Sequence, residues 1–305
     1  MPIAQLPHAS IAYELDTTEQ ANAEPLLLIM GIGGQLINWP PDLCGALREQ
    51  NFRLLRVDNR DVGLSSRLDA LGVPNVKRNL WLKSIGIPIK VPYQLEDMAQ
   101  DYIDLLDHLE ISKCHVVGIS MGSMITQILA STRPDRFASV TLMHSNTGKR
   151  RHALGAKPEA LSALTSNRSI QSKEDFAEYF VHLFKTIGSP SLQRSTEDLT
   201  NTAYAAFERI APLQLSNNNG FLRQFMAIFA TGDREKYYKN IKQPTAIIHG
   251  SKDPLLPLAG AKALISSIPH AQAYIFDDLG HDIPEKYAPI FAQIIRELAN
   301  KAPIV

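Results

Sequence analysis

The sequence has few cysteines, no surplus of either charge and no long apolar run. Only Cys44 and Cys114 are cysteines among 305 residues, too few for a disulfide framework. Basic and acidic residues both number 31, and the resulting net charge of zero argues against a nucleic-acid partner. The most apolar run, PLLLIMGIGG at 25–34, is far shorter than the roughly 20 residues that span a bilayer. No basic stretch followed by an apolar one marks a signal peptide at the start. We therefore expect no membrane span and a cytoplasmic location.

Short apolar runs alternate along the chain with stretches of helical periodicity. The apolar runs predict strands at 11–16, 25–30, 52–58, 113–118, 138–145, 244–250 and 271–278. Apolar residues at helical spacing follow or precede most of these runs, for example from Met98 to Leu109 and from Tyr287 to Leu298. This alternation predicts a mostly parallel sheet with helices on both faces.

One long segment interrupts the alternation. The connection between the strands at 138–145 and 244–250 far exceeds the usual length in α/β proteins and has helical periodicity of its own. We therefore predict a helical cap at 147–240, inserted into a core formed by 1–146 and 241–305. The stretch 69–94 is rich in proline and glycine, and we interpret it as a long loop beside the cap, with Trp81 lining a pocket.

The sequence VVGISMG, at 116–122, joins a predicted strand to a predicted helix. It contains G-x-S-x-G, in which a sharp turn exposes the serine hydroxyl above the sheet edge. Side chains at Gly118 and Gly122 would collide in so tight a turn, which explains the glycines. A helix N-capped by serine after a glycine turn is the simpler alternative. The flanking strand and helix favour Ser120 as a nucleophile.

A serine nucleophile needs a base, which is usually a histidine oriented by a carboxylate. In this fold the acid and then the histidine follow the serine along the chain. Asp253 follows the strand at 244–250, and His281 follows the strand at 271–278. Both lie at carboxyl ends of strands, where parallel sheets bind their ligands. The sequence thus predicts the triad Ser120, Asp253 and His281, whereas His144 is a weaker candidate for lining the pocket.

A tetrahedral intermediate needs backbone N–H groups that stabilise its oxyanion. One donor is usually the residue after the nucleophile, here Met121, and the other lies in a loop after an earlier strand, here the one at 25–30. That loop, MGIGGQLINW at 30–39, has glycines that let backbone approach a substrate. We assign the second donor to Ile32, with Gly31 as the alternative. Leu36 stands where a dinucleotide-binding G-x-G-x-x-G motif would need glycine.

With these motifs the chain resembles the α/β-hydrolase family over nearly its whole length outside the cap. The stretches LLIMGIGGQLINWP, RVDNRDVGLSS, VVGISMGSMITQILA and LGHDIP are most similar to the aclacinomycin methylesterase group of bacterial esterases. The resemblance implies an α/β-hydrolase fold and hydrolysis of a small carboxylic ester through a serine acyl-enzyme, without metal or cofactor. It implies the same triad, with Ile32 and Met121 as oxyanion donors. Many relatives begin the oxyanion loop with His-Gly, whereas this chain has Met30-Gly31.

Three hypotheses for function follow. The leading one is a carboxylic ester hydrolase. The second is another reaction of the same serine triad: hydrolysis of a lactone or a C–C bond, acyl transfer, or perhydrolysis. The third is a non-catalytic ligand receptor that keeps the fold, although none of the three triad residues is missing. The sequence gives no indication of the oligomeric state.

Overall fold

An eight-stranded sheet forms the centre of the protein. The computed structural model describes residues 1–17, 22–153, 155–166, 170–210 and 219–304. The strands are β1 (Ile3–Gln5), β2 (Ser10–Leu15), β3 (Glu24–Ile29), β4 (Phe52–Val57), β5 (Cys114–Ile119), β6 (Phe137–Met143), β7 (Thr245–Gly250) and β8 (Gln272–Phe276). Their order across the sheet is β1-β2-β4-β3-β5-β6-β7-β8. The pairs β1–β2 and β2–β4 are antiparallel, and the other five pairs are parallel.

The middle strands are apolar because both faces of the sheet are covered. In β3, Leu27 and Ile29 belong to one hydrophobic cluster, whereas Leu26 and Leu28 belong to another on the opposite face. This alternation explains why β3 reads in sequence as a continuous apolar run.

Twelve helices lie in the described part of the chain. They are α1 (Pro41–Glu49), α2 (Val76–Ser84), α3 (Leu95–His108), α4 (Met121–Thr132), α5 (Arg150–Ala153), α6 (Pro158–Thr165), α7 (Lys173–Ile187), α8 (Thr196–Ile210), α9 (Asn219–Thr231), α10 (Glu235–Tyr238), α11 (Leu258–Ser267) and α12 (Ala288–Ala299). Helices α3, α4 and α11 contribute to the cluster on one face of the sheet, and α1 and α12 to the cluster on the other. The predicted fold class, a mostly parallel sheet flanked by helices with further helices inserted, is confirmed.

The inserted helices α5–α10 all lie between β6 and β7. Helix α7 packs against α6 and α8, and α9 packs against α2 and α3. Within the predicted cap at 147–240, residues 154, 167–169 and 211–218 lie outside the described residues.

The interpretation of 69–94 as a loop without helical structure is wrong. Residues 76–84 form α2, and Asn75 caps it by accepting a hydrogen bond from the Arg78 N–H at 3.0 Å. At its other end Gly86 has φ +81°, and Ile87 N–H donates to the Leu82 carbonyl at 2.9 Å. This bond closes a Schellman motif at the C-terminus of α2. The motif favours glycine at position 86, because the residue at that position has a positive φ. Trp81, expected in a pocket, is 61% exposed on α2.

No helix among the described residues combines the length and the apolar composition needed to cross a membrane.

Candidate active site

Ser120 lies at the turn between the end of β5 and the start of α4. Its φ of +55° and ψ of −121° place it in the left-handed region, which is strained for a residue with a side chain. Two backbone bonds hold this conformation: Ser120 N–H donates to the Met143 carbonyl at 3.0 Å, and Met124 N–H donates to the Ser120 carbonyl at 3.1 Å. The side chain of Ser120 is half-buried. The turn therefore fixes this serine at the carboxyl end of a central strand.

The two flanking glycines are required by close backbone contacts. A Cβ atom on Gly118 would lie 2.4 Å from the Gly122 carbonyl oxygen, and one on Gly122 would lie 2.0 Å from the Ile29 carbonyl oxygen. Both distances are far below van der Waals contact, so no other residue fits at either position without moving the backbone. Here the structure gives the same steric reason for the glycines that the sequence motif suggested.

The loop after β3 passes directly beside Ser120. A Cβ atom on Gly31 would lie 3.2 Å from Ser120 Cβ and 3.7 Å from Ser120 Oγ. Met121 is the first residue of α4, so its N–H has no acceptor within the helix. Among the described residues, the Ile32 N–H has no hydrogen-bond acceptor either. Both N–H groups are therefore available to a bound ligand, although their role as oxyanion donors stays a prediction.

Asp253 and His281, predicted from two separate loops, are in direct contact. His281 Nδ1 lies 2.6 Å from Asp253 Oδ2, and both side chains are buried. The other oxygen, Oδ1, accepts backbone N–H groups of Leu255 at 2.9 Å and Leu256 at 2.8 Å. Within the described residues, Ser120 Oγ makes no hydrogen bond to His281. Such bonds are often long in the absence of substrate, and the Ser120–His281 step of the triad stays a prediction.

The Asp253 carboxyl is ionised despite its burial. Burial alone would raise its pKa, but the electrostatic attraction of His281 and the hydrogen bonds to His144 and His281 outweigh it and hold the pKa well below the usual range. An ionised acceptor at Nδ1 keeps the proton on that nitrogen of His281, which leaves Nε2 with the lone pair a base requires.

His144 contacts the same carboxylate, which the sequence did not indicate. It follows β6, has φ +46° and is fully buried. Its Nδ1 lies 3.2 Å from Asp253 Oδ2, and its Nε2 lies 3.1 Å from the Asp282 carbonyl oxygen. The ring lies beside that of His281, with centroids 5.1 Å apart. His144 therefore packs behind Asp253 and His281. Both of its ring nitrogens face oxygen atoms of the protein, so neither nitrogen lines a pocket.

A third histidine, His249, completes a buried group around the carboxylate. Its Nε2 lies 2.9 Å from the Leu256 carbonyl oxygen and 3.9 Å from Asp253 Oδ2. Burial lowers the pKa of His249 to about 4, so the ring is neutral. Since the Leu256 carbonyl can only accept a hydrogen bond, Nε2 is the nitrogen that carries the proton. Among the described residues, His144, His249 and Asp253 are a set whose donor atoms have the spacing of metal ligands. The Asp253 carboxylate is already engaged by other groups, because Oδ1 accepts two backbone N–H groups and Oδ2 lies within hydrogen-bond distance of His281 and His144.

The loop that carries His281 is held by the last residue of α7 and by Ser189, which follows that helix. His281 N–H donates to the Ile187 carbonyl at 2.8 Å, and Gly280 N–H donates to Ser189 Oγ at 2.8 Å. Ser189 Oγ in turn donates to Asp282 Oδ1 at 2.6 Å. Asp282 therefore joins its own loop to the inserted helices.

The oxyanion loop is held in the same way by α9. Gln224 is fully buried; its Oε1 accepts the Gly33 N–H at 2.9 Å, and its Nε2 donates to the Arg60 carbonyl at 2.7 Å. On the core side, Asp58 Oδ1 accepts the Leu36 N–H at 2.7 Å. Sequence reasoning missed Gln224, because nothing near position 224 indicates a partner in a loop so far away along the chain.

Comparison with known proteins gives the family. A family model described as the alpha/beta hydrolase fold matches residues 24–286, which is most of the chain. The chain belongs to the α/β-hydrolase family. As expected of an α/β hydrolase, its serine turn follows β5, Asp253 follows β7 and His281 follows β8.

Among its relatives, this α/β hydrolase is 26% identical over 277 residues to rhodomycin D methylesterase DnrP from Streptomyces peucetius, covering 85% of both chains. It is also 26% identical over 215 residues to a poly(3-hydroxyalkanoate) depolymerase from Ectopseudomonas oleovorans, covering 69% of this chain and 71% of that one. The resemblance to methylesterases that the motifs indicated is thereby confirmed. An enol-lactonase from Burkholderia xenovorans LB400 has the same fold, with a TM-score of 0.70 at 20% identity over 98% of this chain and 100% of that one.

Proposed function

We propose that this protein is a carboxylic ester hydrolase in which Ser120 is the nucleophile, His281 the base and Asp253 the acid that orients the histidine. The observation that carries the proposal is the left-handed turn at Ser120, found together with a buried His281–Asp253 pair 2.6 Å apart. Membership of the hydrolase family supports hydrolysis. The relatives named as methylesterases and as a polyester depolymerase support an ester as the bond that is cleaved.

In the first half of the proposed reaction, Ser120 Oγ attacks the ester carbonyl carbon while His281 Nε2 takes the hydroxyl proton. The carbonyl oxygen becomes an oxyanion that accepts hydrogen bonds from the N–H groups of Met121 and Ile32. The C–O bond to the alcohol then breaks, and His281 gives its proton to the departing alcohol. Asp253 stabilises the imidazolium that forms between these two steps.

In the second half, water replaces the alcohol. His281 takes a proton from the water, whose oxygen attacks the carbonyl carbon of the acyl-enzyme. The second tetrahedral intermediate collapses with return of the proton to Ser120 Oγ, and the carboxylic acid leaves. Every proton transfer uses a group of the chain itself, so we propose a reaction that needs no cofactor.

We further propose that 147–240 acts as a cap over the core formed by 1–146 and 241–305. Three contacts support this arrangement, because Ile187, Ser189 and Gln224 of the inserted segment hydrogen-bond to the loops that carry His281 and the oxyanion donors. A cap in this place would shape the site for the acyl and alcohol groups of a small ester.

Reaction with a fluorophosphonate probe tests the nucleophile, together with hydrolysis of p-nitrophenyl acetate. Ser120→Ala should remove both labelling and hydrolysis, because the covalent intermediate forms on its hydroxyl. Ser123→Ala is a matched control, since the Ser123 hydroxyl is buried in the same helix without a hydrogen-bond partner in the described structure. We expect that control to keep full labelling and activity. Labelling of the Ser120→Ala protein would overturn the proposal, and absence of labelling in the unchanged protein would favour a non-catalytic receptor.

A further inference from the structure

Exposed apolar side chains are concentrated beside α2. Nine large hydrophobic residues are exposed in the described structure, and five of them fall within residues 71–87. We call these five the α2 patch: Leu71, Val73, Trp81, Ile85 and Ile87. Single exposed apolar residues are ordinary, whereas a group of them marks an interaction site.

The patch is a fixed part of the fold. Helix α2 has an N-cap at Asn75 and a Schellman C-terminus at Gly86. Arg223 of α9 donates to the Gly72 carbonyl at 3.1 Å, and Lys83 donates to the Ala230 carbonyl at 3.3 Å. Positions 223 and 230 lie about 10 Å apart along α9, since each residue adds 1.5 Å. The segment is thus held at both ends, and its apolar side chains still face solvent.

The outer face of α2 combines these apolar residues with cations. Lys77 and Arg78 lie four and three positions before Trp81, so they share its face of the helix, and Ile85 lies four positions after it. Lys77 and Arg78 are exposed and form no ion pair with a carboxylate of the described residues.

The charge of this segment is of one sign. From 70 to 95 the chain contains Lys77, Arg78, Lys83 and Lys90, and no aspartate or glutamate. Arg150 of α5 adds a fifth cation, because its guanidinium reaches the Ser84 carbonyl at 3.2 Å. The whole chain has zero net charge, so this cluster is a local feature of the surface that complements an anionic partner.

We propose that the α2 patch binds peripherally to the surface of a bilayer that contains anionic phospholipid. Trp81 and the exposed aliphatic residues would lie at the boundary between headgroups and acyl chains, where tryptophan is enriched in membrane proteins. The lysines keep their stems along this apolar surface and extend their charges to phosphate groups.

Two other occupants fit the patch less well. A second copy of this chain docked face to face would bring Lys77 and Arg78 of both copies together, and like charges across an interface are costly. Lysine is depleted in protein interfaces, yet it supplies three of the four cations between 70 and 95. The combination of lysine, exposed tryptophan and aliphatic residues matches a lipid surface.

Trp81 is itself a probe for the test. The only other tryptophan, Trp39, is 1% exposed, whereas Trp81 is 61% exposed. A shift of the fluorescence emission on binding therefore reports a change in the surroundings of Trp81. Vesicles of phosphatidylcholine, with or without about a third of phosphatidylglycerol, are mixed with the full chain at low salt. We expect a blue shift and co-sedimentation with the anionic vesicles only, both reversed by high salt.

Matched variants separate charge from apolar contact. Lys77→Gln with Arg78→Gln should weaken binding about 25-fold, since each cation near an anionic surface contributes about fivefold. Lys262→Gln with Lys301→Gln removes two exposed cations outside α2 and should change nothing. Trp81→Ala and Ile85→Ser should weaken sedimentation, whereas Ile290→Ser, at an exposed position on α12, should not.

Three results would overturn the proposal: equal binding to neutral and anionic vesicles, no binding to either, or unchanged binding by the Lys77 and Arg78 variant. A dimer in sedimentation velocity that Trp81→Ala dissociates, without vesicle binding, would assign the patch to self-association instead. The proposal does not depend on the catalytic assignment, because the same assays can be run on the Ser120→Ala protein.

Discussion

At the scale of single residues, each oxygen of Asp253 lies within hydrogen-bond distance of two groups. Oδ1 faces the N–H groups of Leu255 and Leu256, and Oδ2 faces His281 and His144. Asp253→Asn would keep its oxygen on the two backbone N–H groups and place its NH₂ toward His281 Nδ1. That contact favours the tautomer with the proton on Nε2, which cannot accept the Ser120 proton. We expect kcat to fall by a factor on the order of 10⁴, as in the serine protease precedent.

Steady-state kinetics on p-nitrophenyl acetate measure this effect, and Asp282→Asn is the control. The Asp282 carboxyl accepts from Ser189 and does not contact the His281 ring in the described hydrogen bonds. Its amide variant should therefore lose much less activity than Asp253→Asn. Similar losses in the two variants, or a kcat for Asp253→Asn near that of the unchanged protein, would mean that the orienting acid lies elsewhere.

The candidate site could be predicted only where a residue follows a strand. Ser120, Asp253 and His281 come directly after apolar runs, and chain order assigns each a role. His144 also follows a strand, but its contact with Asp253 depends on where the loop that carries Asp253 folds back across the sheet edge. Gln224 lies on a helix with no local signal for its partner, so only the three-dimensional packing shows it.

At the scale of elements, α9 carries a stripe of phenylalanines beside the oxyanion loop. Phe221, Phe225 and Phe229 are spaced four residues apart, are half-buried and contact each other in series. A Cβ atom on Gly33 would lie 3.2 Å from the Phe221 ring, so the stripe reaches this loop. If the stripe lines the acyl site, Phe225→Ala should lower kcat/KM for long-chain esters, by an amount that corresponds to about 1–3 kcal/mol of activation free energy, and should leave hydrolysis of the acetate ester unchanged.

Phe184→Ala is the matched control for this prediction. Phe184 packs against Phe180 in a cluster with α8 residues, so it fills the interior of the inserted helices. Its loss should lower the free energy of unfolding without changing the ranking of p-nitrophenyl esters from acetate to palmitate. If Phe184→Ala changes that ranking and Phe225→Ala does not, the acyl group lies along α7 instead.

Elements differ in how clearly the sequence predicts them. The middle strands are buried on both faces, so their apolar runs stand out, and the predicted strands agree with the structure to within a residue or two at most ends. Helix α2 escaped prediction because Trp81 and Ile85 face solvent, so its apolar residues do not follow the period of a buried face. Asn75 and Gly86 were the local signals of its two ends.

At the scale of the whole molecule, His249 makes stability depend on pH. Burial lowers its pKa to about 4 in the folded protein, while an unfolded histidine titrates near 6.5. Between these values the unfolded chain binds more protons, so stability is complete above pH 6.5 and is lost as the pH falls toward 4. From pH 7 to pH 5 this residue should remove about 2 kcal/mol from the free energy of unfolding. Urea unfolding at both pH values measures the loss.

His249→Gln separates this contribution from all others. The amide can still donate to the Leu256 carbonyl but does not titrate, so the variant should lose about 2 kcal/mol less between pH 7 and pH 5. Asp253 does not contribute in this window, because its lowered pKa matters only below about pH 4. Equal losses in both proteins would show that His249 is protonated without cost in the folded state.

The hydrogen bonds from Ile187, Ser189 and Gln224 to the loops that carry Gly33 and His281 also limit how this enzyme can be remodelled. An insertion joined to the core only at its two ends could be exchanged whole between relatives, as a cassette that alters substrate choice and leaves the chemistry untouched. Here the exchange would remove the groups that hold the loops carrying Gly33 and His281. New specificities are therefore accessible through stepwise side-chain changes on the inserted helices, and a replacement for the inserted segment must bring an amide and a hydroxyl to the same places.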